Sequence, residues 1–192
     1  VNSKPVLINF EKSVILEDSL INNAGKSIVK RRNSQIIKFF KSFISGKSKQ
    51  TVNNFSNLKR KMLSISDPKI LIVGGGEIGS GLDDFYLNLK KDIIAFDIYD
   101  SDNVDFVSDA HYIPIRENYF DLVIIQAVLE HVLDPNQVVS EIYKVLKKDG
   151  IVYAETPFMQ QVHEGPFDFT RYTESGHRFL FKNFKEVDSG YS

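Results

Sequence analysis

The stretch FDLVIIQ, residues 120–126, constrains the fold more than any other part of the chain. It is almost wholly apolar and lacks the alternation of a strand that faces water on one side. Such a run fits a strand covered on both faces, as in parallel sheets with helices packed on either side. Beyond Asp67-Pro68 the chain keeps this rhythm. Lys69–Val73, Asp92–Phe96, Val104–Val107 and Ile151–Glu155 read as further strands, and Phe184–Val187 as the start of a sixth. Leu82–Lys91, Asn136–Leu146 and Thr173–Phe181 carry apolar residues at helical spacing. The second of these ends in Lys147-Lys148-Asp149-Gly150, cations in the last turn and then a glycine stop. Strands alternating with helices predict an α/β fold with a doubly wound, mostly parallel sheet. Right-handed crossovers then line the carboxyl ends of the strands along one rim, where ligands bind.

Residues 1–67 read differently and are treated as a basic, α-rich extension to a domain at 68–192. Val6–Phe10 and Val14–Leu16 have the look of short strands. Ser34–Ser45 (SQIIKFFKSFIS) predicts an amphipathic helix with Lys38 and Lys41 opposite its apolar face. A linker at 46–50 separates it from a second helix at Asn54–Ser64. Charge divides along the same boundary: residues 1–69 hold 14 Lys/Arg against 4 Asp/Glu, and residues 70–192 hold 10 against 21. A basic segment beside an acidic body predicts docking between the two or an anionic partner. The extension is read as a lid over the ligand cleft.

The 192 residues suffice for one domain with a real core, at 42% hydrophobic and 26% charged. No apolar run approaches the length of a membrane span and no signal-peptide pattern opens the chain, so a cytoplasmic protein is expected. With no Cys there is no disulfide framework, thiolate zinc site or cysteine nucleophile. No metal-ligand constellation stands out either.

The first strand runs into GGGEIGSG, residues 74–81. A glycine loop between strand and helix lets the backbone approach a ligand closely. Gly74, Gly76 and Gly79 fit the dinucleotide fingerprint G-x-G-x-x-G, and Gly74 with Gly76 fit the shorter loop of methyltransferases. Asp97 follows Gly74 by 23 residues, where a carboxylate can accept from a ribose diol. These features point to an adenosine cofactor and leave NAD and S-adenosylmethionine both open.

Residues 105–158 read DFVSDAHYIPIRENYFDLVIIQAVLEHVLDPNQVVSEIYKVLKKDGIVYAETPF. Asp109-Ala110 before Ile-Pro-Ile, Phe120-Asp121-Leu122-Val123, Leu129-Glu130-His131-Val132, Asp134-Pro135 and the helix ending in Lys147-Lys148-Asp149-Gly150 carry a resemblance. The chain resembles the class I S-adenosylmethionine-dependent methyltransferases, in particular the type 11-like group that acts on small-molecule, lipid and sugar acceptors. HEGPFDFTRYT, residues 163–173, resembles a segment after the fifth strand of many bacterial members. The resemblance implies a Rossmann-like fold and S-adenosyl-L-methionine as cofactor. It implies that Gly74, Gly75 and Gly76 pass beneath the methionine portion and that Asp97 binds the ribose hydroxyls. Ile98 would pack on adenine, Asp109 would accept from its amino group, and the Ala110 backbone would donate to the ring. Gln126 would meet the methionine amino group or the sulfonium side. Two positions depart from the family pattern: Ile72 replaces an acidic residue, and Ile78 a glycine. Glu77 is expected to take over contacts of the missing carboxylate. The family sheet also ends in an antiparallel strand for which no sequence follows Ser192. The expected sheet therefore lacks its last strand, or is completed by an amino-terminal strand or a partner.

Methyl transfer from a sulfonium asks mainly for alignment and exclusion of water. An oxygen nucleophile gains from a base near neutral pH, for which His163 and His131 are the candidates. His111 and His177 are read as structural or exposed, Asp168 and Arg171 as an ion pair, and Thr173 as a helix N-cap. No Asn/Asp-Pro-Pro-Tyr follows the fourth strand, which argues against methylation of bases or glutamine. The expected partners are a small-molecule, glycan- or lipid-linked acceptor, a membrane surface met by the basic helix, and a second copy of the chain. Nucleic acid is disfavoured. An NAD(P)-dependent oxidoreductase and a non-catalytic binding module of the same fold are the alternatives.

Overall fold

The computed structural model describes residues 4–13, 15, 49–157 and 168–190. Helix α1 (Lys49–Leu63) leads into strand β1 (Ile70–Val73), then α2 (Asp83–Leu89), β2 (Ile93–Asp97) and β3 (Phe106–Val107). After β4 (Phe120–Gln126) come a 3-10 turn (Leu129–His131), α3 (Pro135–Val145), β5 (Leu146–Glu155) and α4 (Glu174–Leu180). The five strands form one parallel sheet in the order β3-β2-β1-β4-β5. The order reverses between β2 and β4, which places the carboxyl end of β1 at the topological switch point.

Alternating side chains send two cores to opposite faces. Leu71, Val73, Val123 and Ile125 pack with Val138, Ile142 and Val145 of α3. Ile70, Ile72, Leu122 and Ile124 pack with Phe55 and Met62 of α1 and Phe85 and Leu89 of α2. β4 contributes four fully buried residues in succession, Leu122 to Ile125, which is why its sequence shows no alternation. Phe55 binds α1 to its neighbours: its ring lies 4.8 Å from that of Tyr153 on β5 and 6.2 Å from that of Phe85.

Several expectations change. The third strand is two residues rather than four, because Asp105 turns its carboxylate back to accept from the Ala95 N–H. Phe184–Val187 forms no strand; Phe184 joins an aromatic cluster with Tyr143 and Phe181 instead. Gly150 is not the stop of α3, which ends at Val145 with Leu146 already extended. The left-handed residue in that stretch is Asp149, at φ 63°. Residues 147–150 form an irregularity in the ladder, since Phe120 pairs with Leu146 but Leu122 pairs with Ile151. α1 begins five residues before Asn54 and takes in the end of the expected linker. Val6–Phe10 reduces to one parallel bridge, Val6 to Val107, beside β3. The expected helix at Ser34–Ser45 and most of Val14–Leu16 lie outside the described residues. Among the described residues no helix is long and apolar enough to cross a membrane.

Candidate functional site

The glycine loop leaves β1 at the switch point and is tied to its neighbours strand by strand. Gly74 and Gly75 both donate their N–H to Phe96 O on β2, at 3.0 and 2.9 Å. Gly74 has φ 75°, a left-handed conformation that other residues adopt only with strain. Gly76 donates to Asp97 Oδ2 at 2.8 Å, and its carbonyl accepts from Asn103 Nδ2 at 3.2 Å. Asp97 Oδ1 accepts from the Ile98 N–H at 2.7 Å.

Gly74, Glu77, Gly79 and Gln126 line a small cavity of about 20 Å³ beneath the loop, floored by Ile72, Ile124 and Leu82. It has room for one water molecule or one ammonium group. The Gln126 carboxamide is fixed from outside this cavity: Nε2 donates to Ser80 O and to Glu155 Oε2, both at 3.2 Å. Its Oε1 is buried and has no hydrogen-bond partner among the described residues. That oxygen lies so close to the loop that a Cβ at Gly79 would fall 1.9 Å from it. A buried acceptor without a donor costs about 1–3 kcal/mol, so the cavity calls for an N–H or O–H.

Glu155, Tyr153 and Thr51 belong to the same rim and were missed at the level of sequence. The Tyr153 hydroxyl donates to Glu155 Oε2 at 2.7 Å, and Thr51 Oγ1 reaches both carboxylate oxygens at 3.4 and 3.5 Å. Burial, reinforced by the Glu155 carboxylate, pushes the Tyr153 phenol well above its ordinary value and keeps it a donor. Gln126 and Glu155 are register partners on adjacent strands. The ETPF run contained the only available signal, a carboxylate at the end of a strand. After Gln126 the chain turns sharply at Ala127, φ 54°, whose N–H donates to Glu155 O.

The other end of the groove is filled by the chain itself. Asp109 is 4% exposed. Its Oδ1 accepts from the His111 N–H at 2.9 Å and meets His111 Nδ1 at 2.6 Å, while Oδ2 accepts from Ser13 Oγ. Burial pushes the Asp109 pKa up, but the hydrogen bonds from His111 and Ser13 outweigh it and hold the group below its ordinary value. His111 Nε2 accepts from the Asp134 N–H at 3.0 Å, so the proton sits on Nδ1. His111 is thus a buried structural residue. Ala110 packs into the core beside Phe96 and Phe106. Ile98 lies against Val107, Ile8 and Ile15. The segment from Lys4 to Ile15 is fastened along this edge by the Lys4–Asp100 ion pair at 3.5 Å, by Leu7 N–H to Val107 O and by Ser108 Oγ to Leu7 O.

Of the two candidate bases, His163 lies outside the described residues. His131 sits on the 3-10 turn and not on the helix that follows, with Nε2 3.7 Å from Glu130 Oε1. Glu130, 2% exposed, accepts through its carbonyl from Phe169 and Thr170, joining the post-β4 turn to the segment after β5. Asp168 and Arg171 form the expected ion pair, with Nη2 to Oδ2 at 2.6 Å. Thr173 caps α4 through the Gly176 N–H. Asp134 caps α3 from its side chain, with Pro135 at the first helical position. Among the described residues no His/Asp/Glu cluster is placed to hold a metal ion.

Residues 77–154 match a family whose description is "Methyltransferase domain". The match covers 78 of the 192 residues, and the five-stranded parallel sheet with its flanking helices is a Rossmann-like fold. The match begins just after Gly76 and ends one residue before Glu155. Among solved structures the domain is similar to the PH0226 protein of Pyrococcus horikoshii, with TM-score 0.54 at 18% identity over 79% of this chain and 89% of that one. The YcgJ protein of Bacillus subtilis gives 0.51 at 16%, over 68% and 67%. Likeness at these identities speaks to fold alone. No curated protein sequence is significantly similar to the chain.

Proposed function

We propose that the domain binds S-adenosyl-L-methionine and transfers its methyl group to a small-molecule, sugar- or lipid-linked acceptor. One observation carries the cofactor reading: the buried, donor-seeking Oε1 of Gln126 beneath the glycine loop. An α-ammonium group is a donor of the right size for that cavity, which Glu77 also lines. Gly74, Gly75 and Gly76 would carry the chain beneath the ligand, and Asp97 would accept from the ribose hydroxyls. Ile98, Asp109 and Ala110 would form the adenine end. When bound, S-adenosylmethionine supplies a methyl group already activated on a sulfonium sulfur. The protein's own task is then to hold the acceptor in line and exclude water. His131 and His163 are the residues we assign to proton removal from an oxygen acceptor. Residues 1–67 would act as the lid, and α1, seated over β5 through Phe55 and Thr51, would form one wall of the acceptor side.

The occupied state of Asp109 favours a second reading, a binding module of the same fold that takes no adenosine, because His111 and Ser13 already donate to both of its carboxylate oxygens. Calorimetric titration with S-adenosylmethionine, S-adenosylhomocysteine and NAD separates the readings. We expect the first two to bind and NAD not to. Binding of NAD alone replaces the methyltransferase reading with a dehydrogenase, and binding of none supports the module.

A further inference from the structure

Gln126 raises a question that burial alone does not answer: why its carboxamide turns its oxygen rather than its nitrogen toward Gly79, a residue that lines the cavity. A primary amide can rotate by half a turn at almost no steric cost, so its orientation is set by its partners. Here both Nε2 contacts are acceptors, the Ser80 carbonyl and the Glu155 carboxylate, each 3.2 Å away. The reversed amide would press Oε1 against a carbonyl and a carboxylate, and turn two N–H donors toward the cavity. A carboxylate is the stronger of the two determinants, because a hydrogen bond to a charged acceptor exceeds one to a neutral carbonyl.

Glu155 is in turn held still. Tyr153 donates to it at 2.7 Å from its own strand, and Thr51 reaches it from α1 at 3.4 Å. Thr51 is itself buried, and Phe55, one turn on, is wedged against the Tyr153 ring. A continuous series of contacts therefore runs from α1 through Glu155 and the Gln126 amide to the cavity under the glycine loop.

We propose that Glu155 is a positioning residue that sets the polarity of this cavity: by fixing Gln126 with its oxygen inward, it selects ligands that present an N–H donor there. The ligand class is an amino-acid-like ammonium, and a carboxylate or a bare methylene at that position is refused or unrewarded. This rests on the reading that the cavity takes the amino end of S-adenosylmethionine. In this proposal Glu155 acts through Gln126, whose Nε2 it accepts from.

The test is calorimetric titration of S-adenosylhomocysteine and of its deamino analogue, in which hydrogen replaces the amino group, against a set of variants. In the wild type the amino compound binds more tightly than the analogue. Glu155→Ala weakens the amino compound by about tenfold, the size of one charge-assisted contact, and leaves the analogue unchanged. Glu155→Gln, whose carbonyl can still accept from Gln126, restores most of the loss. In a Gln126→Leu background Glu155→Ala has no further effect, the signature of two residues acting as one unit. Tyr153→Phe, which keeps the ring on Phe55, gives a smaller loss in the same direction and serves if Glu155→Ala does not fold. Equal weakening of both ligands, or a Glu155→Ala effect that persists without Gln126, overturns the proposal and leaves the cofactor reading standing. Equal wild-type affinity for the two ligands also overturns it. If S-adenosylhomocysteine does not bind the wild type, the cofactor reading itself fails and takes this one with it.

Discussion

The two ends of the groove along the strand rim are built on opposite plans. At the Gln126 end a buried carboxamide oxygen waits for a donor, and the surrounding side chains hold it in that state. At the Asp109 end a buried carboxylate has all its demands met, by His111 from its own loop and by Ser13 from a segment 96 residues away. Stability favours the second arrangement, because a satisfied buried charge contributes to folding and an unsatisfied acceptor detracts from it. The Gln126 end therefore carries the mark of a site that tolerates a cost for the sake of a ligand. The Asp109 end is either structural or masked.

The sharpest way to break this contrast is to close the cavity. Gly79→Ala places a Cβ 1.9 Å from Gln126 Oε1 and 3.0 Å from its Cδ. The side chain is flexible and must swing away, so the fold is expected to survive with a melting temperature within a few degrees of wild type. S-adenosylhomocysteine affinity should fall by roughly a hundredfold, since the amide is lost as an acceptor and the cavity fills. Unchanged affinity in titration would show that the ligand does not enter beneath the loop.

The reverse pattern is expected for stability. Asp109→Ala strands the His111 ring N–H, the His111 backbone N–H and Ser13, and should cost about 3 kcal/mol in urea unfolding. Gln126→Leu removes an unpaired oxygen but also the N–H donors to the Ser80 carbonyl and the Glu155 carboxylate, so its cost on the same measurement should be smaller, about 1–2 kcal/mol. Comparable losses at the two positions would mean that the ends do not differ as described.

How much of this contrast was legible in the sequence follows from how far apart the partners lie. The strands β1, β2 and β4 are readable because burial on both faces writes itself into consecutive residues such as Leu122–Ile125. The Asp168–Arg171 pair and the Thr173 cap are readable because they are local. Glu155 was not singled out, since its role depends on register with Gln126, 29 residues away, and on a threonine from α1, 104 residues away. Ser13 on Asp109 is hidden for the same reason. Asp149 rather than Gly150 takes the left-handed turn because a Cβ at Gly150 would already meet Leu146, the Lys147 carbonyl and the Phe120 carbonyl. Glycine there answers to crowding by its neighbours and not to the end of a helix.

Ser13→Ala asks whether the adenine end is masked or structural. Removing the hydroxyl frees Asp109 Oδ2 without disturbing the His111 contacts. If adenine must displace Ser13, affinity for S-adenosylhomocysteine should rise about fivefold, the worth of a modest hydrogen bond no longer competed for. A loss of affinity would show that the segment from Lys4 to Ile15 is part of the pocket wall, and the two ends would then cooperate.

Acid sensitivity provides the finest discrimination. The folded-state pKa of Asp109 is lowered, by hydrogen bonds from His111 and Ser13 that outweigh burial. A carboxylate with a depressed folded pKa contributes stability that is fully present above its unfolded value, about 3.9, and is lost as pH falls through the folded one. The difference in melting temperature between wild type and Asp109→Asn should therefore be flat from neutral pH down to about pH 5 and should narrow below about pH 4. Ser13→Ala and wild type share one unfolded state, so their difference depends on the two folded pKa values alone and should begin to close at a lower pH than the Asp109→Asn difference does. If instead the Asp109→Asn difference widens on acidification, protonation stabilises the wild-type site, and the carboxylate is poorly matched to its partners rather than satisfied by them.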